Sequence, residues 1–438
     1  MPYGKLSRRE FLATSLASLT LGAGLPVWYA REVVNRARSK RALARKRVAP
    51  SDRVALGAIG VGGQGYRLMT EAVQKRPDVE LIAACDVDAG CLRAAIAKSG
   101  LDGIVGYNDF RDLLQRRDID AVTIATPDHW HSLIGVAAMR AGMDVYCEKP
   151  LTLTIDEGKT FTRVAGSTGR IVQVGTHQRS DPRFRLACEL VRNGRIGHLG
   201  RIETRVGANP PHKPLRPSAV PSGLDWDLWL GQAPAVPYIK ERCRYDFRWW
   251  YEYSGGKLTD WGVHHNDIAQ WAMGTDAAGP VAIAAESTPV GIDPNAYNCP
   301  SDFKVTYTYA SGVELICSAK GKNGILFTGD AGWIFVDRAR IEASDPRLLD
   351  EPLSADAIRL HSSDDHIRNF LDCVKTRERP VCDATIGHRS ASVSHLGNIA
   401  IRTGESLRWD PSAERFVANT AADAMLVRPM RSPWTLDG

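Results

Sequence analysis

Lys149, Asp260 and His264 are the side chains of this sequence best suited to moving a proton and stabilising charge on oxygen. Asp260 and His264 follow a glycine turn in the stretch Gly255-Gly256-Lys257-Leu258-Thr259-Asp260-Trp261-Gly262-Val263-His264-His265-Asn266-Asp267. If a helix runs from Trp261 to Met273, residues three and four apart share a face, so Asp260, His264 and Asp267 line one side while His265 points about 100° away. A carboxylate beside an imidazole holds the ring in one tautomer and raises its basicity, as proton transfer at neutral pH requires. Local packing of His264, with Asp260 as an N-cap, would produce the same spacing without any chemistry. Lys149 precedes Pro150, which restricts it to an extended backbone, so its side chain is aimed and can polarise a hydroxyl or carbonyl oxygen. A surface lysine in a turn is the plainer alternative.

These groups need a scaffold, and the first half of the chain supplies a recognisable one. Val54-Ala55-Leu56-Gly57-Ala58-Ile59 has the pattern of a buried parallel strand, and Gly60-Val61-Gly62-Gly63-Gln64-Gly65 follows at once, before a helix from Tyr66 to Lys75. In such a strand, G-x-G-x-x-G, helix unit, Gly60 allows the tight turn, Gly62 lets the backbone approach a pyrophosphate, and Gly65 permits close packing of helix on strand. The helix N-terminus, with Gly63 and Gln64, then offers free N–H groups to phosphate. A second strand, Glu80 to Cys85, ends in Asp86, 21 residues beyond Gly65, where a carboxylate can accept the ribose hydroxyls. This predicts a Rossmann dinucleotide-binding domain. Asp86 favours NAD, because its charge would repel a 2′-phosphate and no arginine follows directly; NADP stays open.

The alternation continues through a strand ending at Thr126-Pro127-Asp128-His129-Trp130-His131 and another ending at Glu148-Lys149-Pro150, both at the carboxyl ends of parallel strands, where ligands bind. Thr126, Pro127, His131 and Glu148 are therefore cofactor-site candidates beside Lys149. For His129 and His131, capping or packing accounts for the residue equally well.

In composition the chain is that of a soluble globular protein: 438 residues, 44% hydrophobic. The net charge of +6 is concentrated at one end, since residues 1–50 hold eleven Lys/Arg against two Asp/Glu while the remainder holds 45 against 48. The body is mildly acidic, which excludes a nucleic-acid-binding surface. Nine scattered cysteines without C-x-x-C spacing exclude a disulfide framework or zinc knuckle. Adjacent histidines on a helix diverge, so no metal is expected at Asp260, His264 and His265.

Ser7-Arg8-Arg9-Glu10-Phe11-Leu12, followed by a charge-free run to Ala30, resembles a twin-arginine export signal. It predicts a periplasmic protein or one anchored on the outer face of the inner membrane. Trp28 stands where a cleavage site wants a small residue, which leaves cleavage and an uncleaved anchor both open. The basic stretch Arg31, Arg36, Arg38, Lys40, Arg41, Arg45, Lys46 and Arg47 could lie on anionic lipid at about 1 kcal/mol per charge, or form a solvated linker. That export route carries folded proteins, which suits a chain that acquires its cofactor first.

Taken in order, Gly60-x-Gly62-x-x-Gly65, Thr126-Pro127 with His131, Glu148-Lys149-Pro150, and Asp260-x-Gly262-x-His264-x-x-Asp267 make the chain, over roughly residues 53–403, resemble the Gfo/Idh/MocA oxidoreductases, the group containing glucose-fructose oxidoreductase and inositol dehydrogenase. The resemblance implies that Lys149 assists at the reacting oxygen, that Asp260 and His264 form the acid/base pair, and that Gly60, Gly62, Gly65 and Asp86 hold the nucleotide. The family's glycine triplet before the aspartate is here Gly255-Gly256-Lys257. Some exported members retain NADP tightly.

The expected architecture is a leader and basic linker (1–50), the Rossmann domain (51–175), a C-terminal α+β domain with a large, open, mostly antiparallel sheet (176–403), and a tail (404–438). In the second domain, His177, Arg179, Arg248, Trp249, Tyr251 and His265 are the substrate-contact candidates: aromatic faces stack on sugars, and Arg248 or Lys257 can bind hydroxyls or an acidic group. Core packing is the competing role for the rings. The whole predicts an NAD(P)-dependent oxidoreductase, working as a homo-oligomer, that takes hydride from a hydroxyl-bearing carbon of a sugar, sugar derivative or cyclitol. An NAD-dependent glycoside hydrolase using transient oxidation, and a non-catalytic sugar-binding protein on the same fold, are the alternatives.

Overall fold

The computed structural model describes Leu16 and residues 18–43, 52–74 and 76–436, so the paired arginines at 8 and 9 lie outside the described residues. Helix α1, Val27–Leu43, comes first among the long helices. Tyr29 with Val33 and Ala30 with Val34 are spaced four apart, which gives one turn-to-turn apolar stripe. All four are buried, and the Tyr29 hydroxyl accepts a hydrogen bond from Arg185 Nε at 2.7 Å while Trp28 Nε1 donates to the Leu349 carbonyl at 2.9 Å. Residues 25–34, which their setting among leader and basic residues assigns to an export segment and linker, are thus part of the main core. Among the described residues no helix is long and apolar enough to cross a membrane.

The first sheet comprises Val54–Ile59 (β1), Val79–Cys85 (β2), Val105–Tyr107 (β3), Ala121–Ile124 (β4), Asp144–Cys147 (β5) and Val172–Val174 (β6), in the order β3-β2-β1-β4-β5-β6. Every pairing is parallel. That is the doubly wound arrangement, with its topological switch between β1 and β4. Helices Gly63–Val73 (α2), Ala89–Ser99 (α3), Phe110–Leu114 (α4), His131–Arg140 (α5) and Ile155–Thr168 (α6) connect the strands. The helix starts are written in the sequence: Asp88, Asp109 and Thr154 side chains accept from the N–H groups of Cys91, Arg111 and Glu157.

The second domain opens with Pro182–Arg192 (α7) and Leu199–Arg205 (β7), continues through Gly256–Asp260 (α8) and Gly262–Met273 (α9), and then runs through Ala282–Ser287 (β8), Phe303–Thr308 (β9), Glu314–Ser318 (β10), Gly324–Gly329 (β11), Gly332–Val336 (β12) and Ile341–Ala343 (β13). Helices His366–Thr376 (α10) and Ala384–Thr403 (α11) and strands Leu407–Asp410 (β14) and Arg415–Phe416 (β15) complete it. Nine strands lie in the order β13-β12-β11-β7-β10-β9-β8-β14-β15. Only β7 and β10 run parallel. Alternate residues such as Ile202, Val305, Tyr307, Leu315 and Phe327 are buried and share one core with Phe184, Ile268, Val393 and Leu396 of α7, α9 and α11. The opposite face carries charged pairs, Arg205 with Glu203 and Lys304 with Glu286.

Helix α10 packs back on the nucleotide domain as its apolar spacing predicts, with Ile367, Phe370 and Leu371 in one core with Val54, Leu56 and Leu68. Helix α11 divides its contacts: Ala384 and Ile386 reach the first domain while Val393 to Ala400 belong to the second. The tail also returns to the first domain, where the Trp434 ring lies 4.9 Å from Trp130 and 6.4 Å from Phe110, centroid to centroid.

Because the face of α1 that carries Tyr29, Ala30 and Val33 is core, truncating Tyr29 should behave as a core deletion. Tyr29→Ala is expected to cost about 3–5 kcal/mol, read as a lowered midpoint in equilibrium denaturation; an unchanged midpoint would detach α1 from the fold.

Candidate functional site

The strand β1 delivers its glycine loop to a cavity of about 1550 Å³. A single drug-sized ligand occupies roughly 300–1,000 Å³, so this one has room for a cofactor and a second molecule. Gly60 has φ +78°, and a Cβ there would sit 2.8 Å from the Ala125 carbonyl. A Cβ on Gly65 would sit 1.7 Å from the Gly60 oxygen. Both positions therefore require glycine. Gly62 and Gly63 face the cavity instead: a Cβ on Gly62 would meet only Cys91 Sγ, at 3.5 Å, and one on Gly63 nothing within 4 Å.

Asp86, at the end of β2, accepts from the N–H groups of Val61 and Asp88, each at 3.0 Å, and lines the same cavity; burial raises its pKa. Thr126 and Pro127 form the opposite wall, and Thr126 Oγ1 is buried without a partner. An open backbone cradle, a carboxylate at the strand end and an unsatisfied hydroxyl lining one cavity fit a dinucleotide. Gln64 turns toward the chemistry, its Nε2 donating to Glu148 at 3.2 Å.

The other end of the cavity is built from both domains. Lys149, after β5 and joined to Pro150 by a cis bond, reaches across so that Nζ donates to Asp260 Oδ1 at 2.8 Å and to the Asp260 carbonyl at 3.1 Å. Arg248 Nε donates to the same Oδ1 at 3.2 Å, and Lys257 Nζ lies 3.6 Å from Oδ2. Burial works against a charge on Asp260, yet Lys149 first and Arg248 next hold its carboxyl well below the usual carboxylate range. Glu148 behaves alike: burial opposes its charge, but His177 at 3.4 Å and then Lys149 outweigh it and bring the pKa to about 2.

His264 also lines this end, but not as the helical spacing predicts. The helix breaks at Trp261, between α8 and α9, and the Asp260 carboxylate turns to the three cations instead of the imidazole. His264 Nδ1 is buried with no hydrogen-bond partner. Burial, and after it the charge on Lys149, push the ring's pKa well below its ordinary value. A neutral imidazole able to take a proton is thus kept neutral by desolvation and neighbouring cations, not oriented by Asp260. Asp267 belongs elsewhere: it is fully buried and receives Arg179 and Ser390.

Of the substrate-contact candidates, His177 and Arg248 line the cavity, and Arg179, Trp249, Tyr251 and His265 do not. Arg179 is a core ion pair, Nε to Asp267 Oδ2 at 2.8 Å, with side-chain exposures of 2% and 0%. Trp249 is buried and donates to Asp246, Tyr251 faces a separate cavity, and His265 is held between Gln178 and Asn323. His131 lines the cavity while its two ring nitrogens lie 2.7 Å from the Pro150 carbonyl and 3.0 Å from the Thr126 carbonyl, tying the two loops together. His129 is buried against Trp229 and faces away from the cavity. Gln178, which follows the same strand end as His177, lines the cavity as its position suggests, whereas the sequence reading missed Trp261 and Arg338; Trp261 lay inside the motif, and a lone arginine in a hairpin carried no signal. Among the described residues no cluster of three His, Cys, Asp or Glu side chains could hold a metal ion.

The glycine-loop cleft is faced by a lysine, a carboxylate and a neutral imidazole, on a parallel sheet followed by a second, mostly antiparallel one. The chain belongs to the Gfo/Idh/MocA family: the family described as "Oxidoreductase family, NAD-binding Rossmann fold" matches residues 54–176, and its partner, "Oxidoreductase family, C-terminal alpha/beta domain", matches residues 209–436. Inositol 2-dehydrogenase of Salmonella typhimurium is 31% identical over 142 residues, 32% of this chain and 42% of that protein. A glycosyl hydrolase family 109 protein of Stenotrophomonas maltophilia is 31% identical over 209 residues, 45% of this chain and 41% of its own length. The chain thus spans under half the length of either relative. The WlbA dehydrogenase of Bordetella pertussis, solved with NADH and UDP-GlcNAcA, shares the fold at a TM-score of 0.62 and 17% identity, covering 82% of this chain and 99% of that one.

Two measurements check the site. Arg179→Met leaves Asp267 buried and unpaired and should destabilise the protein by about 3–5 kcal/mol, with KM for the second substrate unchanged in whatever fraction stays folded; a raised KM at full stability would return Arg179 to the cleft. With the pKa of His264 depressed, the neutral ring persists as pH falls. The acid limb of kcat/KM is therefore expected below about pH 6.5, the ordinary histidine value, and a limb at or above it would remove His264 from the proton path.

Proposed function

We propose that the protein is an NAD-dependent dehydrogenase acting on a secondary hydroxyl of a sugar, sugar derivative or cyclitol. One observation carries the reading: Lys149 of the nucleotide domain meets Asp260 of the second domain at 2.8 Å, in the cavity that also receives the glycine loop and His264. Bound there, the oxidised nicotinamide supplies the acceptor for hydride from the hydroxyl-bearing carbon. Lys149 donates to the reacting oxygen and stabilises its charge as the O–H bond breaks. His264, neutral before the reaction, accepts the proton. Asp260 positions the Lys149 ammonium, and the first domain's Thr126 and Asp86 hold the nucleotide. Similarity to an inositol 2-dehydrogenase supports the substrate class.

Purified protein given NAD and a panel of sugars and cyclitols should form reduced nicotinamide. His264→Ala should lower kcat by about 10²–10⁴-fold, and Lys149→Met should abolish turnover while NAD still binds; wild-type turnover in both variants would sink the assignment. The glycosyl hydrolase relative supports a second reading, in which an aryl glycoside is consumed with no net reduction of the cofactor. The same assay separates the two. The proposal includes export by the twin-arginine route, supported by the order Arg8, Arg9, Phe11, Leu12 and the uncharged run that follows.

A further inference from the structure

Cations and carboxylates meet at the reactive end of the cavity, where Glu148 and Asp260 are both held ionised beside Lys149. Lys149, Arg248 and Lys257 share the single carboxylate of Asp260, and their side-chain exposures are 11%, 20% and 15%, against 9% for Asp260. Charges so far out of water are costly unless paired. An oxidised nicotinamide adds a further positive ring to the same cavity.

Arg338 differs from the cations held in these pairs. Its guanidinium lies 4.4 Å over the Trp261 ring, beside the residue that separates Asp260 from His264. The other arginines lining the cavity are each engaged: Arg67 with Glu71, Arg183 with Asp181, Arg244 with Asp88 and Arg248 with Asp260. Arg338 alone among the described lining arginines makes neither an ion pair nor a hydrogen bond, and it remains exposed. Its backbone is nonetheless fixed. It occupies the turn between β12 and β13, where the Asp337 carboxylate accepts from the N–H groups of Ala339 at 2.7 Å and Arg340 at 2.8 Å. A rigid turn of the second domain thus presents an unpaired, planar, bidentate donor to the space beside the reacting groups.

We infer that the substrate carries an anionic group, a carboxylate or a phosphate on the sugar or cyclitol, and that Arg338 receives it. The inference rests on the dehydrogenase reading for the site's identity, but recognition of the anion requires no turnover.

The test is calorimetric titration of the full chain, with NAD present, using D-glucose, D-glucuronate and D-glucose 6-phosphate, with turnover followed in parallel. At least one anion should bind about tenfold or more tightly than D-glucose, and Arg338→Gln should remove most of that advantage. Arg340→Gln is the control: it changes the charge of the same hairpin, but Arg340 pairs with Glu342 at 2.6 Å and does not line the cavity. The advantage should survive there. Preference for glucuronate marks a carboxylate, and preference for the phosphate ester a phosphate. Equal binding of all three ligands, no binding by either anion, or equal loss in both variants overturns the anion site. Anion binding that depends on Arg338 without reduction of NAD by any sugar would instead keep the anion site and overturn the dehydrogenase.

Discussion

A hydrogen bond of 2.8 Å between the Lys149 ammonium and the Asp260 carboxylate joins the two domains where their chemistry must meet. Without Asp260 the Lys149 ammonium would lose its ion-pair partner, and burying an ion without its counter-ion costs several kcal/mol, whereas Asp260 also has Arg248 and Lys257. The pair therefore disfavours any arrangement that opens the domains at the cleft. It also decides the electrostatics of its neighbours. Asp260 is committed to cations, Glu148 is held ionised partly by the same lysine, and His264 is kept neutral partly by it. One lysine, aimed from the end of a parallel strand, gives its carboxylate and imidazole neighbours different protonation tendencies, which is how titratable groups come to take separate roles.

Much of the scaffold was readable because local rules and global fold agree there. A buried strand run, three glycines at fixed offsets and an acidic residue at the next strand end specify a single supersecondary unit, and each glycine meets the contact its position implies. Six strands of the second sheet, β7 to β12, were likewise visible as a cluster of strand runs, while the short β13 and the strands β14 and β15, which lie in the supposed tail, were not. Less was readable where a side chain's partner lies far along the chain. Arg179 looked like a cleft residue because it follows a strand end, but Asp267 stands 88 positions later and claims it for the core. Asp260 and His264 looked paired because helical spacing was extended through Trp261, where the helix breaks and the carboxylate finds Lys149, 111 positions away.

The misreading of residues 25–34 has a different cause. Composition was averaged over the whole leader, and the arginines concealed the stripe formed by Tyr29, Ala30, Val33 and Val34. A periodicity count starting at Leu25 would have separated the buried face from the charged one. Arg338 could not have been found that way. Its importance comes from being unpaired in three dimensions, and no pattern along the chain reports an absent partner.

The nucleotide domain is assembled from distant parts of the chain. Its core takes Ile367, Phe370 and Leu371 from α10, and Trp434 closes over Trp130 and Phe110. During synthesis, the segment bearing the glycine loop leaves the ribosome long before the pieces that complete its packing. The packing of that domain is therefore complete only once residues 367–371 and 434 have been made and have folded back onto it.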